Sequence, residues 1–153
     1  EGQGFKIALA SLDKSRIAIG AQALGISEGA LQQATEYAKV RHQFGQPLSN
    51  FQAIQFMLAD VATEIEAARL LVYKAAAEAD TGAKISKSAA MAKLFASEAA
   101  FRCVHKALQI HGGYGYIKEY PIERMYRDQR ITEIYEGTSE IQRIVIANSI
   151  LRD

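Results

Sequence analysis

Apolar side chains recur at Phe5, Leu9, Leu12, Ile19, Ala23, Ile26, Ala30 and Tyr37, in the three- and four-residue steps that align them on one face of an α-helix. The spacing predicts one long first helix. Its stripe passes through Arg16, and Asp13, three residues earlier, can meet that side chain on the helix surface. Spacing alone leaves open whether the two form a solvated ion pair or a functional one. Gly45 and Pro47 break the pattern within Arg41-His42-Gln43-Phe44-Gly45-Gln46-Pro47-Leu48 and mark a connection. Ser49 and Gln52 then have capping-box spacing, with Ser49 able to accept the N3 amide while Gln52 reaches back to the cap. Ile54, Leu58, Val61, Ile65, Ala68, Val72 and Ala75 supply the buried stripe of a second helix that stops at Asp80-Thr81-Gly82.

A third helix is predicted from Ile85 through Met91, Leu94, Ala99, Phe101, Val104 and Leu108, with an Ala-rich, strongly helix-forming centre, closed by Gly112-Gly113. Tyr114-Gly115-Tyr116 continues a glycine-rich turn, and Pro121 suits the first position of a shorter helix ending near Arg130. Ile131 to Tyr135 reads as extended or irregular. Gly137-Thr138-Ser139 opens a last helix, with Ser139 and Gln142 at capping-box spacing and Ile141, Val145 and Ile150 among its apolar positions. Three long helices, a short extra one and a last helix joined by brief connections describe an all-α, up-and-down four-helix bundle.

Composition agrees. Nearly half the residues are apolar, Pro is scarce and Trp is absent, and 153 residues are enough for one core, so residues 1–153 are expected to form one domain. Eighteen basic residues are interspersed with seventeen acidic ones, for a net charge of +1, which argues against a nucleic-acid partner. Cys103 is the only cysteine, so no disulfide can form within the chain, and no apolar run approaches the roughly 18 residues of a membrane span. The first methionine is Met57, and Glu1-Gly2-Gln3-Gly4 reads as a linker running into a helix, as expected of a trimmed chain.

The three histidines, His42, His105 and His111, lack metal-ligand spacing with carboxylates, and no glycine loop leads into Lys-Ser or Lys-Thr, so no metal or nucleoside triphosphate is implied. Gly112-Gly113-Tyr114-Gly115 has the wrong spacing for a dinucleotide fingerprint and suits a helix C-cap. The stretch from Ile131 to Arg143 is the chemically suggestive one: it sets Glu136 on a junction directly before a helix start, where backbone amides and the helix dipole favour anions. Read locally, Glu136 is either a dipole partner or a group presented to a ligand.

Ile134-Tyr135-Glu136-Gly137-Thr138-Ser139-Glu140-Ile141-Gln142-Arg143 closely resembles the C-terminal signature of acyl-CoA dehydrogenases. Asp13-Lys14-Ser15-Arg16, Arg41 to Leu48, Gln109 to Gly115 and Tyr126-Arg127-Asp128 resemble further family segments in the same order, so the similarity covers essentially the whole chain. The resemblance is greatest to the short-chain, butyryl-type branch. It implies a C-terminal helical domain whose N-terminal helical and middle β domains are absent here. It also implies a FAD-dependent oxidoreductase of fatty acid β-oxidation that converts acyl-CoA thioesters to trans-2-enoyl-CoA.

Carried over by position, the resemblance makes Glu136 the base that removes the substrate's α-proton, with Gly137 lining the thioester and Tyr135 the pocket wall. In one branch of the family the base stands on the first helix, at the position of Ser15, which cannot serve. Asp13 and Arg16 correspond to contacts with the CoA portion. Arg41 and Phe44 correspond to contacts with the adenosine-diphosphate part of FAD, and Gln52 to a further cofactor contact. Gln109, Gly112 and Gly113 correspond to the loop that receives the diphosphate part from a neighbouring subunit, and Thr138 and Glu140 to cofactor contacts near the last helix.

An exposed carboxylate is too weak a base for an ordinary α-carbon acid, so the complete site must desolvate it and stabilise enolate-like charge. The isolated domain is therefore expected to be inactive. The implied partners are an acyl-CoA, an electron-transferring flavoprotein and further copies of the chain in a dimer or tetramer. The implied compartment is the cytoplasm in a bacterium or the mitochondrial matrix in a eukaryote. The competing readings are a helical oligomerisation module without catalysis and a glutaryl-CoA-type dehydrogenase that also decarboxylates.

Overall fold

The computed structural model describes residues 2–152, leaving Glu1 and Asp153 outside it. Five helices follow in order: α1 (Gly4–Val40), α2 (Gln52–Asp80), α3 (Ser86–His111), α4 (Ile122–Arg130) and α5 (Ser139–Arg152). The all-α bundle expected from the periodicity is present. Its one sheet among the described residues is a hairpin between α1 and α2, in which β1 (His42–Gln43) pairs antiparallel with β2 (Gln46–Pro47). Phe44 and Gly45 form its tip with φ of 51° and 80°, the pair of positive values that a tight hairpin turn requires.

Ion pairs and contacts fix the helix directions. Asp60 with Lys106 and Glu64 with Arg102 run α2 antiparallel to α3. The approach of Gly20 to Ala92 at one end, and of Tyr37 to His111 at the other, runs α1 parallel to α3. This arrangement makes α3 the central helix, in contact with α1, α2, α4 and α5. Its buried face is built mostly of alanines, from Ala89 to Ala107, against Ala23, Ala30, Ala34 and Ala38 of α1. Small side chains let the two axes come close. A Cβ on Gly20 would lie 3.1 Å from Val72 Cγ2.

Several local expectations are corrected. The Ser49–Gln52 capping box does not form: residues 48–50 make a 3-10 turn, Phe51 is the cap of α2 without a side-chain bond, and Gln55 donates to the Ser49 carbonyl. Residues 131–133 form a 3-10 turn and not an extended segment. The Ser139–Gln142 box is also absent, because the buried Gln142 amide is committed elsewhere and the Ser139 hydroxyl has no partner. On α5, Ile141 and Ile150 are exposed, so its apolar stripe is not spent on this domain's core. Gly112, at φ 60°, does end α3 as a C-cap, its amide donating to Leu108 and Gln109.

Candidate active site

Glu136 and Gly137 are consecutive residues with positive φ, 55° and 93°, in the turn before α5. For a glutamate this left-handed backbone costs about 1–2 kcal/mol and persists only where surroundings hold it. Three donors making four contacts hold it here. Lys93 Nζ of α3 and Gln142 Nε2 of α5 each donate to the Gly137 carbonyl at 2.8 Å. Gln142 Nε2 also donates to the Glu136 carbonyl at 3.2 Å, where Arg16 Nε of α1 adds a longer contact at 3.4 Å. A Cβ on Gly137 would sit 2.8 Å from that same Gln142 nitrogen, so only glycine fits.

Lys93 is completely buried, and burial pulls its ammonium down to about 8, with Glu133 opposing the fall and Arg16 adding to it. The turn is thus tied to a cation in the bundle interior. It aims the half-buried Glu136 side chain at α1, where Ser15 Oγ donates to Glu136 Oε2 at 2.6 Å. The two positions lie 121 residues apart in sequence. The tyrosine hydroxyl of Tyr135 bonds Gln22 farther along α1.

Asp13 and Arg16 do pair, at 2.9 Å, and Arg16 is buried, not solvated. Asp13 also accepts from the Ser86 hydroxyl, so the pair joins the start of α3 to the Glu136 turn. Beside it, Asp13 and Lys14 share a groove of about 350 Å³ with Gly82, Ala83 and Lys84. Thr138 Oγ1 receives the Ile141 amide at 3.5 Å, in place of the Ser139 cap, and holds the exposed Glu140 carboxyl below its ordinary range.

The other expected residues stand at the far end of the bundle. Arg41, Gly112 and Gly113 meet in one cleft of about 440 Å³, with Tyr37, His111 and Tyr114 among its walls. Arg41 lies over the Tyr114 ring, 5.4 Å from its centroid, and Tyr37 stacks on His111 at 4.4 Å. Burial keeps the His111 imidazole below its ordinary range, although its bond to the Ala107 carbonyl works the other way. No atom crowds a Cβ at Gly112 or Gly113, so their backbone is open to a ligand. Phe44, 90% exposed at the hairpin tip, touches Phe51, while Gln52 and Gln109 are exposed at the ends of α2 and α3.

Residues 2–151 match the family described as "Acyl-CoA dehydrogenase, C-terminal domain". The chain belongs to the acyl-CoA dehydrogenase family. It is 58% identical over 151 residues to the mitochondrial short-chain specific acyl-CoA dehydrogenase of Bos taurus, covering 99% of this chain and 37% of that protein. It is 55% identical to a 3-(aryl)acrylate reductase of Clostridium sporogenes, covering 98% of this chain and 40% of that one. The butyryl-CoA dehydrogenase structure from Megasphaera elsdenii superimposes with a TM-score of 0.98 at 55% identity, over 99% of this chain and 40% of that chain. The chain therefore spans about 40% of the length of such relatives. Within this family frame, spacing had not singled out Lys93 or Ser15, and it had assigned Gln142 a capping role in place of its bonds to the turn. A lysine within an alanine-rich helix gives no sequence signal of burial, whereas Ser15 was marked as the position of the other branch's base.

Proposed function

We propose that this chain is the catalytic-base domain of a flavoenzyme acting at the Cα–Cβ bond of acyl-CoA thioesters, with Glu136 transferring the α-proton. The observation that carries this reading is the Glu136 carboxylate, held by a clamped left-handed turn just before α5 and directed at the position on α1 where the other branch keeps its base. In the dehydrogenase direction the carboxylate takes the α-proton while the β-hydrogen departs as hydride, giving a trans-2-enoyl-CoA. FAD, when bound, supplies the ring that accepts that hydride. The chain's own residues fix the base and leave Gly137 small enough for a thioester to lie against it. In the reductase direction, which the Clostridium sporogenes protein's name describes, the same carboxyl returns a proton to Cα. A short-chain, butyryl-type substrate is supported by the similarity to the Bos taurus and Megasphaera elsdenii proteins, whereas the Clostridium sporogenes relative, at 55% identity, is named for an aryl substrate.

Both ends of the bundle suit the proposed ligands. Lys14 and Lys84 put cations beside the Asp13 groove, as the phosphates of CoA require, while Asp13 and Arg16 brace that wall. Arg41 and the open backbone of Gly112 and Gly113 suit the diphosphate of FAD. Gln109, Phe44 and Gln52 would extend that contact, and Thr138 and Glu140 would meet the cofactor near the base. Along α1, however, Ser15 and Arg41 are about 40 Å apart at 1.5 Å per residue, more than one extended dinucleotide can bridge. The Arg41 cleft therefore serves the cofactor of a neighbouring copy, which makes a homo-oligomer part of the reading. The exposed Ile144, Ile150 and Leu151 of α5 fit such assembly, up to the tetramer the resemblance implies. An electron-transferring flavoprotein is the proposed electron partner.

The test is Glu136→Gln in the full-length enzyme. Turnover should fall by about 10³-fold or more while the oligomer on size-exclusion chromatography is unchanged. Undiminished turnover would leave only the assembly-module reading. Residues 1–153 alone, assayed with butyryl-CoA and an artificial electron acceptor, should show none.

A further inference from the structure

Ser15 Oγ lies 2.6 Å from Glu136 Oε2 and 3.1 Å from the carbonyl oxygen of Leu12, one turn back on α1. A hydroxyl has one proton to give, so it serves one acceptor at a time. An ionised carboxylate is the stronger acceptor, and at 2.6 Å two oxygens without a proton between them would repel. The Leu12 carbonyl does not depend on this bond, since the amide of Arg16 already satisfies it within the helix. The proton is therefore directed to Oε2. Oε1, the other carboxylate oxygen, has no hydrogen-bond partner of its own among the described contacts of Glu136.

We propose that Ser15 is a positioning residue: its hydroxyl pins Glu136 Oε2 and so selects Oε1 as the atom that takes the substrate's α-proton. This rests on the reading of Glu136 as the base. In the step, the Cα–H bond breaks and the Oε1–H bond forms, while the electron pair left on Cα becomes the new double bond as the β-hydrogen departs as hydride. Ser15 exchanges no proton. It continues to donate to Oε2, now the carbonyl oxygen of a neutral acid, where its bond is weaker because the acceptor's charge is gone. Its bond holds the carboxylate against rotation about its last side-chain torsion, which is broad when unrestrained. The same position carries the base in the other branch, so the two arrangements share one spot: there α1 supplies the carboxylate, and here α1 supplies the donor that aims one.

The surrounding charges act on the backbone of the turn. Arg16 of α1 reaches the Glu136 carbonyl and is paired with Asp13, and Lys93 of α3 reaches the Gly137 carbonyl. Glu133 is paired with Arg130 ahead of the turn, and Glu140 is exposed on α5 beyond it. Among the described hydrogen bonds, the one donated to the Glu136 carboxylate comes from Ser15.

The experiment compares Ser15→Ala and Ser15→Thr with Glu136→Gln in the full-length enzyme, reading kcat, KM and the thermal midpoint. Ser15→Ala should lower kcat about tenfold with little change in KM. Its melting point should stay near the parent's, because the Leu12 carbonyl keeps its helix bond and Glu136 is only half-buried. Ser15→Thr, which keeps the hydroxyl, should restore kcat. Parent-like kcat in Ser15→Ala, with Glu136→Gln inactive, overturns the role of Ser15 and leaves the base assignment standing. Equal impairment of the alanine and threonine variants also overturns it, since the hydroxyl would then not be what matters. An active Glu136→Gln removes the base assignment, and this inference with it.

Discussion

The two ends of α3 carry two buried titratable groups with opposite surroundings. Near its start, Lys93 sits at 0% exposure and spends its ammonium on a backbone carbonyl of the turn that carries Glu136. At its finish, His111 is stacked on Tyr37 and forms the wall of an open cleft whose glycine backbone faces solvent. The first end is complete within one chain, with α1, α3 and α5 all contributing donors to two carbonyls. The second offers a cation and uncrowded glycine backbone, with room for a ligand from outside. In the proposed function, proton transfer needs a base fixed in place, which the closed end would supply. Gripping a cofactor diphosphate would need access, which the open end leaves.

The largest effect should come from disturbing the closed end. Gly137→Ala places a Cβ 2.8 Å from Gln142 Nε2 at a φ of 93°. Either the backbone flips or Gln142 is expelled from its two carbonyls. The expected cost is about 3 kcal/mol of stability, read from denaturant unfolding, together with loss of turnover in the full-length enzyme. An unaltered unfolding midpoint would show that the clamp is not holding the turn.

At the open end the matching change is Arg41→Gln. Arg41 contributes a ring contact with Tyr114 but no ion pair within the described residues, so stability should be unaffected. FAD affinity should fall about tenfold, measured by equilibrium titration and by flavin retained on purification, through loss of a charge-assisted contact to phosphate. Destabilisation without loss of flavin would reverse the roles assigned to the two ends.

The asymmetry also decides what the sequence could reveal. Helices α1, α2 and α3 were legible because their stripes are followed by breaks at Gly45, Gly82 and Gly112, each with positive φ, although α1 itself stops earlier, at Val40. The family resemblance is what singled out Glu136 as the proposed base. What could not be read was the use of polar groups after folding. Gln142 has the spacing of a local cap, yet in the fold its Nε2 donates to the Glu136 and Gly137 carbonyls and its Oε1 does not receive the Ser139 amide. Lys93 has the pattern of a surface lysine, and only the meeting of α3 with residues 136–137 makes it interior. The apolar positions of α5 were visible, but periodicity reports an apolar face without saying whether this domain or another body covers it.

A smaller effect separates the two buried groups by pH. Lys93 falls from about 10.5 when unfolded to about 8 when folded, so between these values the unfolded chain holds a proton that the folded one has released. Raising the pH from 8 therefore favours folding through this group. Burial raises Cys103 to about 11 and also lifts Tyr37, and both oppose the gain above pH 9. The effect is thus isolated as the difference between the parent and Lys93→Met, which should lack the gain. His111, lowered by burial from 6.5, has the same sign in another window: as pH falls through 6.5 the unfolded chain takes up a proton that the folded one resists, and stability is lost. His111→Phe keeps an aromatic ring against Tyr37 and should flatten that acid limb, leaving the region above pH 8 unchanged. Unfolding midpoints of the two variants from pH 5 to 9 check both statements; a Lys93→Met curve parallel to the parent's above pH 8 would show that the ammonium is not desolvated at the closed end.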